Sequence, residues 1–194
     1  MHALQTEGRT ALTLRRKYPI WGSVLLVAAL VWATDFVTKN WAVNFLEGRA
    51  PRKIIGNLLQ FTFTKNSGAA FSFATGGTIL LAAFAIVVIL AIGYWAPRLT
   101  SRRWGYVLGL VLGGTLGNLS DRILRASVGT GALRGQVIDW IELPHWPVFN
   151  LADSSIVVAA FIASYLSLRN IPPVTKNHSG NQVGHDEKDD SDGA

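Results

Sequence analysis

Long stretches without charged residues dominate the chain, and polar segments separate them. No Asp, Glu, Lys or Arg occurs from Tyr18 to Thr34, from Asn66 to Pro97, from Trp104 to Ser120 or from Ser154 to Leu168. Each stretch approaches or exceeds the roughly 20 apolar residues that cross a bilayer as a helix. The pattern predicts four transmembrane helices and therefore a membrane protein that is mainly α-helical.

The first apolar stretch also has features of a cleaved signal peptide. Arg15, Arg16 and Lys17 precede it, and a basic segment precedes the apolar part of secretory signals. However, no clear small-x-small cleavage site follows this stretch, and three further apolar stretches come after it. We therefore interpret it as a membrane span.

Two segments between the predicted spans have the composition of β-strands. Residues 54–64 contain β-branched and aromatic residues that alternate with polar ones near Phe61 and Phe63, and a turn-forming Asn-Ser-Gly follows. Residues 136–141, in the connection between the third and fourth spans, form a second strand candidate. We expect a small extracytoplasmic β element on the outer membrane surface.

Basic residues predict the orientation of the spans. The short connection between the second and third spans carries Arg98, Arg102 and Arg103, and such loops remain in the cytoplasm. Both termini are then expected in the cytoplasm. The long first connection is expected outside, although it also holds basic residues, namely Arg49, Arg52, Lys53 and Lys65.

The chain is expected to form one membrane domain, residues 18–170, between two cytoplasmic ends. Residues 1–17 form a short lead. Residues 171–194 have almost no apolar side chain larger than Val and include five acidic residues between Asp186 and Asp192. Such a segment buries too little surface to fold, so it is predicted to be a disordered tail.

Composition narrows the classes of partner and chemistry. The net charge of +6 is typical of a protein that binds nucleic acid, but positive-inside residues and anionic lipid headgroups account for it here. Membrane lipids, and not nucleic acid, are the expected partners. The sequence contains no cysteine, which excludes disulfides, thiolate nucleophiles and cysteine-based metal sites.

Four carboxylates are predicted to converge at the outer side of the membrane. Asp35 ends the first predicted span, Asp121 ends the third, Asp139 lies in the last outer connection and Asp153 begins the fourth span. Ionisable groups at membrane depth are costly and commonly mark functional sites. A cluster of them at one side predicts such a site.

Each of these carboxylates also has a purely structural interpretation. Asp153 at the start of a helix is typical of a cap. Asp35 with Lys39, and Asp121 with Arg122, are typical of stabilising ion pairs. Asn118, Asp121 and Arg122 would share one helical face, and glycines nearby would let another helix approach closely. These glycines are Gly113, Gly114 and Gly117.

The available side chains limit the chemistry. His145 is the single histidine between His2 and His178, so a zinc site would lack its usual imidazoles and a Ser-His-Asp arrangement would depend on one residue in a tight loop. Two neighbouring carboxylates are the best-supplied set, because one stays protonated while the other acts as a base toward water. No metal or cofactor is expected.

Several motifs resemble those of the lipoprotein signal peptidases, the signal peptidase II family. They are D-F-V-T-K at Asp35, TKNSGAAF, GGTLGNLSDR and FNLADSS, in the order of that family and on the same plan of four spans. The resemblance covers the chain from about Asp35 to Ile156.

This resemblance implies a bacterial aspartyl endopeptidase of the cytoplasmic membrane that is inhibited by globomycin. Such an enzyme cuts the signal peptide of prolipoproteins before the diacylglyceryl-modified cysteine, and its active site faces the extracytoplasmic side. The implied catalytic residues are Asp139, in GQVIDW, and Asp153, in FNLAD. Residues implied to line or support the site are Asn66, Gly68, Gly114, Asn118, Asp121, Arg122, Asn150, Asp35 and Lys39. The expected protein is a monomer.

Two departures from the family pattern leave alternatives open. A Gly-containing insertion, LRASVGTGALRGQ, separates Arg122 from Val137, and Trp140 replaces the commoner Phe after the implied catalytic aspartate. Asp121 therefore remains an alternative partner for Asp153. Two rival functions also remain: an ion or proton pathway, and a membrane scaffold in which every aspartate has a structural role.

Overall fold

Residues 20–68, 77–126 and 131–175 are described in the computed structural model of the protein. Its elements are α1 (Ile20–Leu46), β1 (Arg52–Ile55), β2 (Leu59–Asn66), α2 (Gly77–Trp95), α3 (Arg102–Leu124), β3 (Val137–Glu142) and α4 (Leu151–Leu168). A 3-10 turn, Ala96–Arg98, follows α2. The predicted lead and most of the predicted tail lie outside the described residues, so both stay predictions.

The helices have the dimensions of membrane spans. Among the described residues, three helices are long and apolar enough to cross a membrane: α1, α4, and α2 together with its 3-10 turn. With 23 residues α3 is also long enough, but it contains several glycines and charged residues. The prediction of a mainly helical membrane protein with a small β element is confirmed.

The exposed faces of the helices are apolar. Leu26, Phe84, Leu90 and Phe161 are each more than half exposed, whereas small side chains such as Ala159 are buried between helices. Lipid is as apolar as the protein interior, so a membrane domain exposes such residues without penalty. The helix surfaces therefore fit a lipid environment.

The three strands form one antiparallel sheet in the order β1-β2-β3. Phe61 of β2 pairs with Arg52 on one side and with Ile141 on the other, and Thr64 pairs with Asp139. The predicted strand at 54–64 is in fact a hairpin whose turn contains Gly56, with a φ of 49°. The second predicted strand, at 136–141, corresponds to β3.

The sheet lies at one end of the helix bundle, because it follows the C-terminal ends of α1 and α3 and precedes the N-terminal ends of α2 and α4. We call this the sheet end. Residues 169–175 lie at the opposite end, where the main chain of residue 100 donates to the carbonyl of Pro173 (3.0 Å) and Trp104 donates to that of Ile171 (2.8 Å). These hydrogen bonds hold the chain against the start of α3 as far as Pro173, and the predicted domain boundaries stay a prediction.

Helix α1 is longer than the first predicted span. Asp35 was predicted to end the span, but the helix continues to Leu46 and has 27 residues. A helix of this length is about 40 Å long, which exceeds the roughly 30 Å hydrocarbon core. The prediction was wrong because Asp35 and Lys39 are buried against other helices and neutralise each other there.

Glycines on α3 permit the close packing that the sequence predicted. A Cβ added at Gly113 would lie 2.6 Å from the Cβ of Val31 and 2.8 Å from the carbonyl oxygen of Ala28, both on α1. A Cβ at Gly114 would instead meet Ala152 and Ser155 of α4. Neighbouring glycines thus bring α1 and α4 against two different faces of α3.

A buried lysine links α1 to α3. Lys39 lies 2.7 Å from a carboxylate oxygen of Asp35 and 3.0 Å from one of Asp121, and it donates to the side-chain oxygen of Asn118 (2.9 Å). Lys39 and Asp35 are 1% exposed or less. A buried charge is tolerated where it is paired and hydrogen-bonded, and Lys39 meets both conditions.

The same carboxylates also hold the elements that follow. Asp35 accepts a hydrogen bond from the backbone nitrogen of Ala152, at the start of α4 (2.9 Å), and Asp121 accepts one from that of Ile138, in β3 (3.1 Å). The buried charges therefore fix where β3 and α4 begin.

The predicted ion pair between Asp121 and Arg122 is not formed. Asp121 pairs with Lys39 and with Arg125, whose Nε lies 2.6 Å away. Consecutive residues on a helix project in different directions, whereas residues four apart are neighbours. The prediction was therefore wrong for Arg122, and the partner lies three residues further along the chain.

We predict that Gly113→Ala lowers the free energy of unfolding by about 1–3 kcal/mol, because the new methyl group forces α1 away from α3. Thermal unfolding in detergent measures this. Gly93→Ala is the matched control, because nothing lies within 4 Å of its added Cβ. Equal stability of the two variants would contradict the close packing of α1 on α3.

We predict that Lys39→Met lowers the free energy of unfolding by about 3–5 kcal/mol, because two buried carboxylates lose their cation. Lys65→Met is the control. Lys65 also pairs with a carboxylate, that of Glu47 at 2.6 Å, but both side chains are nearly half exposed, so a loss of at most about 1 kcal/mol is expected. Similar losses in the two variants would show that the Lys39 network is not buried.

Candidate active site

The start of β3 is attached to the end of α3 despite the insertion between them. The backbone nitrogen of Gly135 donates to the carbonyl of Arg122 (2.9 Å), in addition to the bond from Ile138 to Asp121. A Cβ at Gly135 would overlap the carbonyl oxygen of Asp121, so this approach requires glycine. Residues 127–130 of the insertion lie outside the described residues, yet the position of β3 is fixed.

The short segment between β3 and α4 places the start of α4 beside β3. After β3 the chain turns between Leu143 and Trp146, and Phe149 then pairs with Ile141 through two backbone hydrogen bonds of 2.8 and 2.9 Å. Phe149 immediately precedes Asn150, the N-cap of α4. The pairing therefore places the first turn of α4 next to Asp139.

Asn150 connects the two implied catalytic carboxylates. Its side-chain nitrogen donates to Asp139 (2.6 Å), and its backbone nitrogen donates to Asp153 (3.3 Å). Its side-chain oxygen accepts from the backbone of Asp153 (3.0 Å), which completes a capping box. Asp153 is thus a helix-capping residue, as its position predicted, and also part of the carboxylate cluster.

Asn118 holds the second oxygen of Asp153. Its side-chain nitrogen donates to Asp153 (2.7 Å), while its oxygen accepts from Lys39 (2.9 Å) and from Asn150 (3.2 Å). Because Lys39 and Asn150 both donate to this oxygen, the orientation of the Asn118 amide is fixed. Asn118 therefore links the buried Lys39 to the carboxylate of Asp153 through hydrogen bonds.

Asn66 holds Asp139 from the opposite strand. Its side-chain nitrogen donates to Asp139 (2.9 Å), and its oxygen accepts from the backbone nitrogen of Gly68 (2.8 Å). Gly68 has a φ of 80°, in the left-handed region that favours glycine. The glycine therefore allows the turn that orients the amide of Asn66 toward Asp139.

Burial raises the pKa of Asp139 to about 6, well above its ordinary value. Hydrogen bonds from Asn66 and Asn150 oppose this rise, and the nearby charge of Asp153 adds to it. The side chain is only 2% exposed. Asp139 is therefore a carboxyl group that can hold a proton at weakly acidic pH.

Arg122 is a buried cation close to the carboxylates. It is 8% exposed, and the charges of Asp121, Asp139 and Asp153 act on it. Its Nη1 has no hydrogen-bond partner, and the guanidinium forms no ion pair with any described residue. A buried donor without a partner is costly, so this nitrogen is available to an acceptor on a ligand.

An apolar groove opens beside Asp153. It has a volume of about 290 Å³. Its lining consists of Leu143, Trp146, Phe149, Asp153, Ser154, Val157 and Val158. A carboxylate in a mostly apolar groove is an arrangement that binds an apolar ligand and presents a polar group to it.

The structure brings most of the implied site residues together. Asp139, Asp153, Asn66, Asn118 and Asn150 form one hydrogen-bond network. Gly68 orients one of its amides, Lys39 and Asp35 support it from α1, and Gly114 packs α3 on α4. Asp121, the alternative partner, is occupied by Lys39, Arg125 and the backbone of β3.

Two residues that support the site were not predicted from the sequence. Arg125 pairs with Asp121 and donates to Asn40 on α1 (2.9 Å). The spacing of four from Asp121 was a signal for this pair. Gly135 had no such signal, because its role depends on how the insertion returns to α3.

The alternative chemistries are a metal site and a Ser-His-Asp arrangement. Within the described residues, no group of three or more His, Cys, Asp or Glu side chains is arranged to hold a metal ion. His145 is exposed in the turn before α4, with a φ of 61°. No hydrogen bond joins it to a serine in the described part of the chain.

Comparisons with known proteins agree on one family. The family model for signal peptidase (SPase) II matches residues 27–169. A lipoprotein signal peptidase of Mycobacterium avium (strain 104) is 46% identical over 145 residues, which are 75% of this chain and 78% of that protein. One of Rhodococcus jostii (strain RHA1) is 42% identical over 150 residues, or 77% and 74% of the two chains.

A solved structure described as "Bacterial membrane enzyme structure by the in meso method at 1.9 A resolution" has a similar fold, with a TM-score of 0.67 and 25% identity. The match covers 77% of this chain and 94% of that chain. Fold, motifs and sequence relatives therefore agree, and the chain belongs to the signal peptidase II family.

Proposed function

We propose that this protein is an intramembrane aspartic endopeptidase that cleaves the signal peptide of prolipoproteins on the N-terminal side of the diacylglyceryl-modified cysteine. Its family indicates a protease that acts on lipoprotein signal peptides. The observation that carries the finer proposal is the bridge formed by Asn150 between Asp139 and Asp153. Two carboxylates held beside one residue in this way can act together, one protonated and the other ionised, as general acid–base catalysis of hydrolysis requires.

The two aspartates have different roles in the proposed reaction. Asp153, in its ionised form, takes a proton from a water molecule, whose oxygen attacks the scissile carbonyl carbon. Asp139, protonated because burial raises its pKa, donates to the carbonyl oxygen. When the tetrahedral intermediate collapses, Asp153 gives its proton to the leaving amine and Asp139 recovers the one that it donated.

Neighbouring polar groups would orient the substrate backbone. Nη1 of Arg122 is buried and without a partner, so a peptide carbonyl of the substrate can accept from it. Asn66 adds a second amide beside Asp139. Fixing the scissile bond relative to water and acid removes much of the entropic barrier to reaction.

The apolar groove beside Asp153 supports a lipid-linked substrate. Val157 and Val158, on its α4 wall, are about half exposed on the membrane surface of the bundle. A precursor can therefore approach laterally, with its acyl chains remaining in lipid while the peptide bond reaches Asp153. One copy of the chain supplies both carboxylates. We therefore also propose that the enzyme acts as a monomer.

The proposal places the sheet end on the extracytoplasmic side of the bacterial cytoplasmic membrane. Arg98, Arg102 and Arg103 lie at the opposite end, and short loops rich in basic residues remain in the cytoplasm. With four spans, both termini are then cytoplasmic. This orientation presents the site to precursors after their translocation.

We predict that Asp139→Asn and Asp153→Asn each lower the rate of cleavage of a diacylglyceryl-modified prolipoprotein by roughly a thousandfold or more, because each removes one proton-transfer group. Cleavage by the purified full chain is followed by mass spectrometry of the products. Helical circular dichroism and thermal unfolding establish that each variant is folded.

Glu142→Gln is the matched control for this experiment, because Glu142 lies on the same strand as Asp139 but outside the hydrogen-bond network. It is expected to keep activity close to that of the wild type. Full activity in either folded aspartate variant would exclude the pair. No cleavage by the wild type would favour the scaffold or the ion pathway.

We predict that kcat/KM falls as the pH rises through a value near the pKa of about 6 of Asp139, because the acid form is lost. Asn66→Ala removes a hydrogen bond that favours the ionised form, so the alkaline limb of the profile should move to higher pH. Asn57→Ala, in the β1–β2 turn, is the control and should leave the limb in place. A limb that moves to lower pH in Asn66→Ala would contradict the assignment of Asp139.

A further inference from the structure

The β1–β2 hairpin exposes a set of large apolar side chains that no described element covers. Every residue from 47 to 58 is exposed. Ile54, Ile55 and Leu58, at and beside the turn, are 49%, 57% and 63% exposed. In an aqueous environment three neighbouring apolar side chains of this size form an unfavourable surface, so their exposure indicates a contact beyond the described residues.

The hairpin and the segment before it are also basic. Arg49, Arg52 and Lys53 lie within five positions of one another, and none pairs with an acidic side chain of the described residues. Lys53 donates only to the uncharged amide of Asn57 (2.8 Å). Glu47, the nearest acidic residue in the sequence, is already neutralised by Lys65 (2.6 Å). The surface therefore carries uncompensated positive charge.

The hairpin begins where the lipid-exposed surface of α1 ends. Val37 and Phe45 on α1 are 64% and 50% exposed, and β1 starts shortly after the last residue of this helix. The hairpin thus follows the lipid-exposed helix closely in the sequence, at the end of the bundle where that helix ends. At this level a bilayer presents its headgroups, where apolar side chains and basic groups are accommodated together.

We propose that the β1–β2 hairpin binds the bilayer surface at the sheet end and selects phospholipids with net negative charge. Ile54, Ile55 and Leu58 enter the boundary between headgroups and acyl chains. Arg49, Arg52 and Lys53 contact the anionic headgroups. The proposal accounts for the basic residues of the predicted outer connection, and it does not depend on the peptidase activity.

A lipid surface fits this hairpin better than a docked protein does. A protein partner would need a complementary acidic and apolar patch, whereas the bilayer is already in contact with α1 and supplies both components. Each basic residue close to a negative membrane surface is worth roughly a fivefold change in partition. The three residues together therefore favour an anionic surface strongly over a neutral one.

The absence of cysteine from the sequence makes a direct test possible. Leu58→Cys, carrying an environment-sensitive fluorophore, is introduced into the full chain in nanodiscs of phosphatidylcholine, with or without phosphatidylglycerol. Brominated acyl chains report contact with lipid, and acrylamide reports exposure to water. We expect strong quenching by brominated lipid and protection from acrylamide in the discs that contain phosphatidylglycerol, with weaker effects in phosphatidylcholine alone.

A charge-neutral variant tests the role of the basic residues. In Arg52→Gln with Lys53→Gln, the ratio of lipid-contacting to water-exposed hairpin should fall by roughly fivefold for each residue replaced. Salt at molar concentration should have a similar effect, since it shortens the Debye length to about 3 Å. Arg102→Gln with Arg103→Gln, at the opposite end of the bundle, is the control and should leave the signal unchanged.

Three results would overturn the proposal. One is a label that acrylamide reaches equally well in both types of disc. Another is lipid quenching that is the same with and without phosphatidylglycerol and in the charge-neutral variant. The last is protection that develops only when a prolipoprotein is added, which would make the hairpin a docking surface for protein.

Discussion

The structure depends on one buried lysine that compensates two buried carboxylates. Lys39 on α1 reaches Asp35 and Asp121 and donates to Asn118. Burying charged groups is unfavourable unless they are paired and hydrogen-bonded, so this set favours the arrangement of α1 against α3 that brings its members together. The glycines of α3 make that arrangement sterically possible. The close packing of α1 on α3 and the pairing of the buried charges therefore depend on each other.

The same constraint determines the geometry of the proposed active site. Asp121 holds the backbone of β3, Asp35 holds that of α4, and Asn118 links the lysine directly to Asp153. The structural and chemical interpretations of the aspartates are thus not alternatives. Asp153 caps α4 and belongs to the proposed pair, whereas Asp35 and Asp121 place the elements that carry this pair.

Much of this architecture could be predicted from the sequence. Stretches without charge predicted the spans, and the placement of aspartates near span ends predicted their convergence. The length of α1 could not be predicted, because charged residues inside a helix are allowed only by partners on other helices. Tertiary contacts also determine the pairing of Asp121 with Lys39 and the close approach of Gly135 to the end of α3. Local sequence contains no record of these contacts.

The proposed chemistry requires that Asp139 holds a proton whose binding is favoured by burial and by the nearby charge of Asp153. Infrared difference spectroscopy across pH tests it most directly, because protonated carboxyl groups absorb separately from carboxylates. We predict a carboxyl band that titrates near the pKa of about 6 of Asp139, disappears in Asp139→Asn and moves its midpoint to lower pH in Asp153→Asn, because the neighbouring negative charge is removed. A band that persists in Asp139→Asn, or a midpoint unchanged in Asp153→Asn, would contradict the claim.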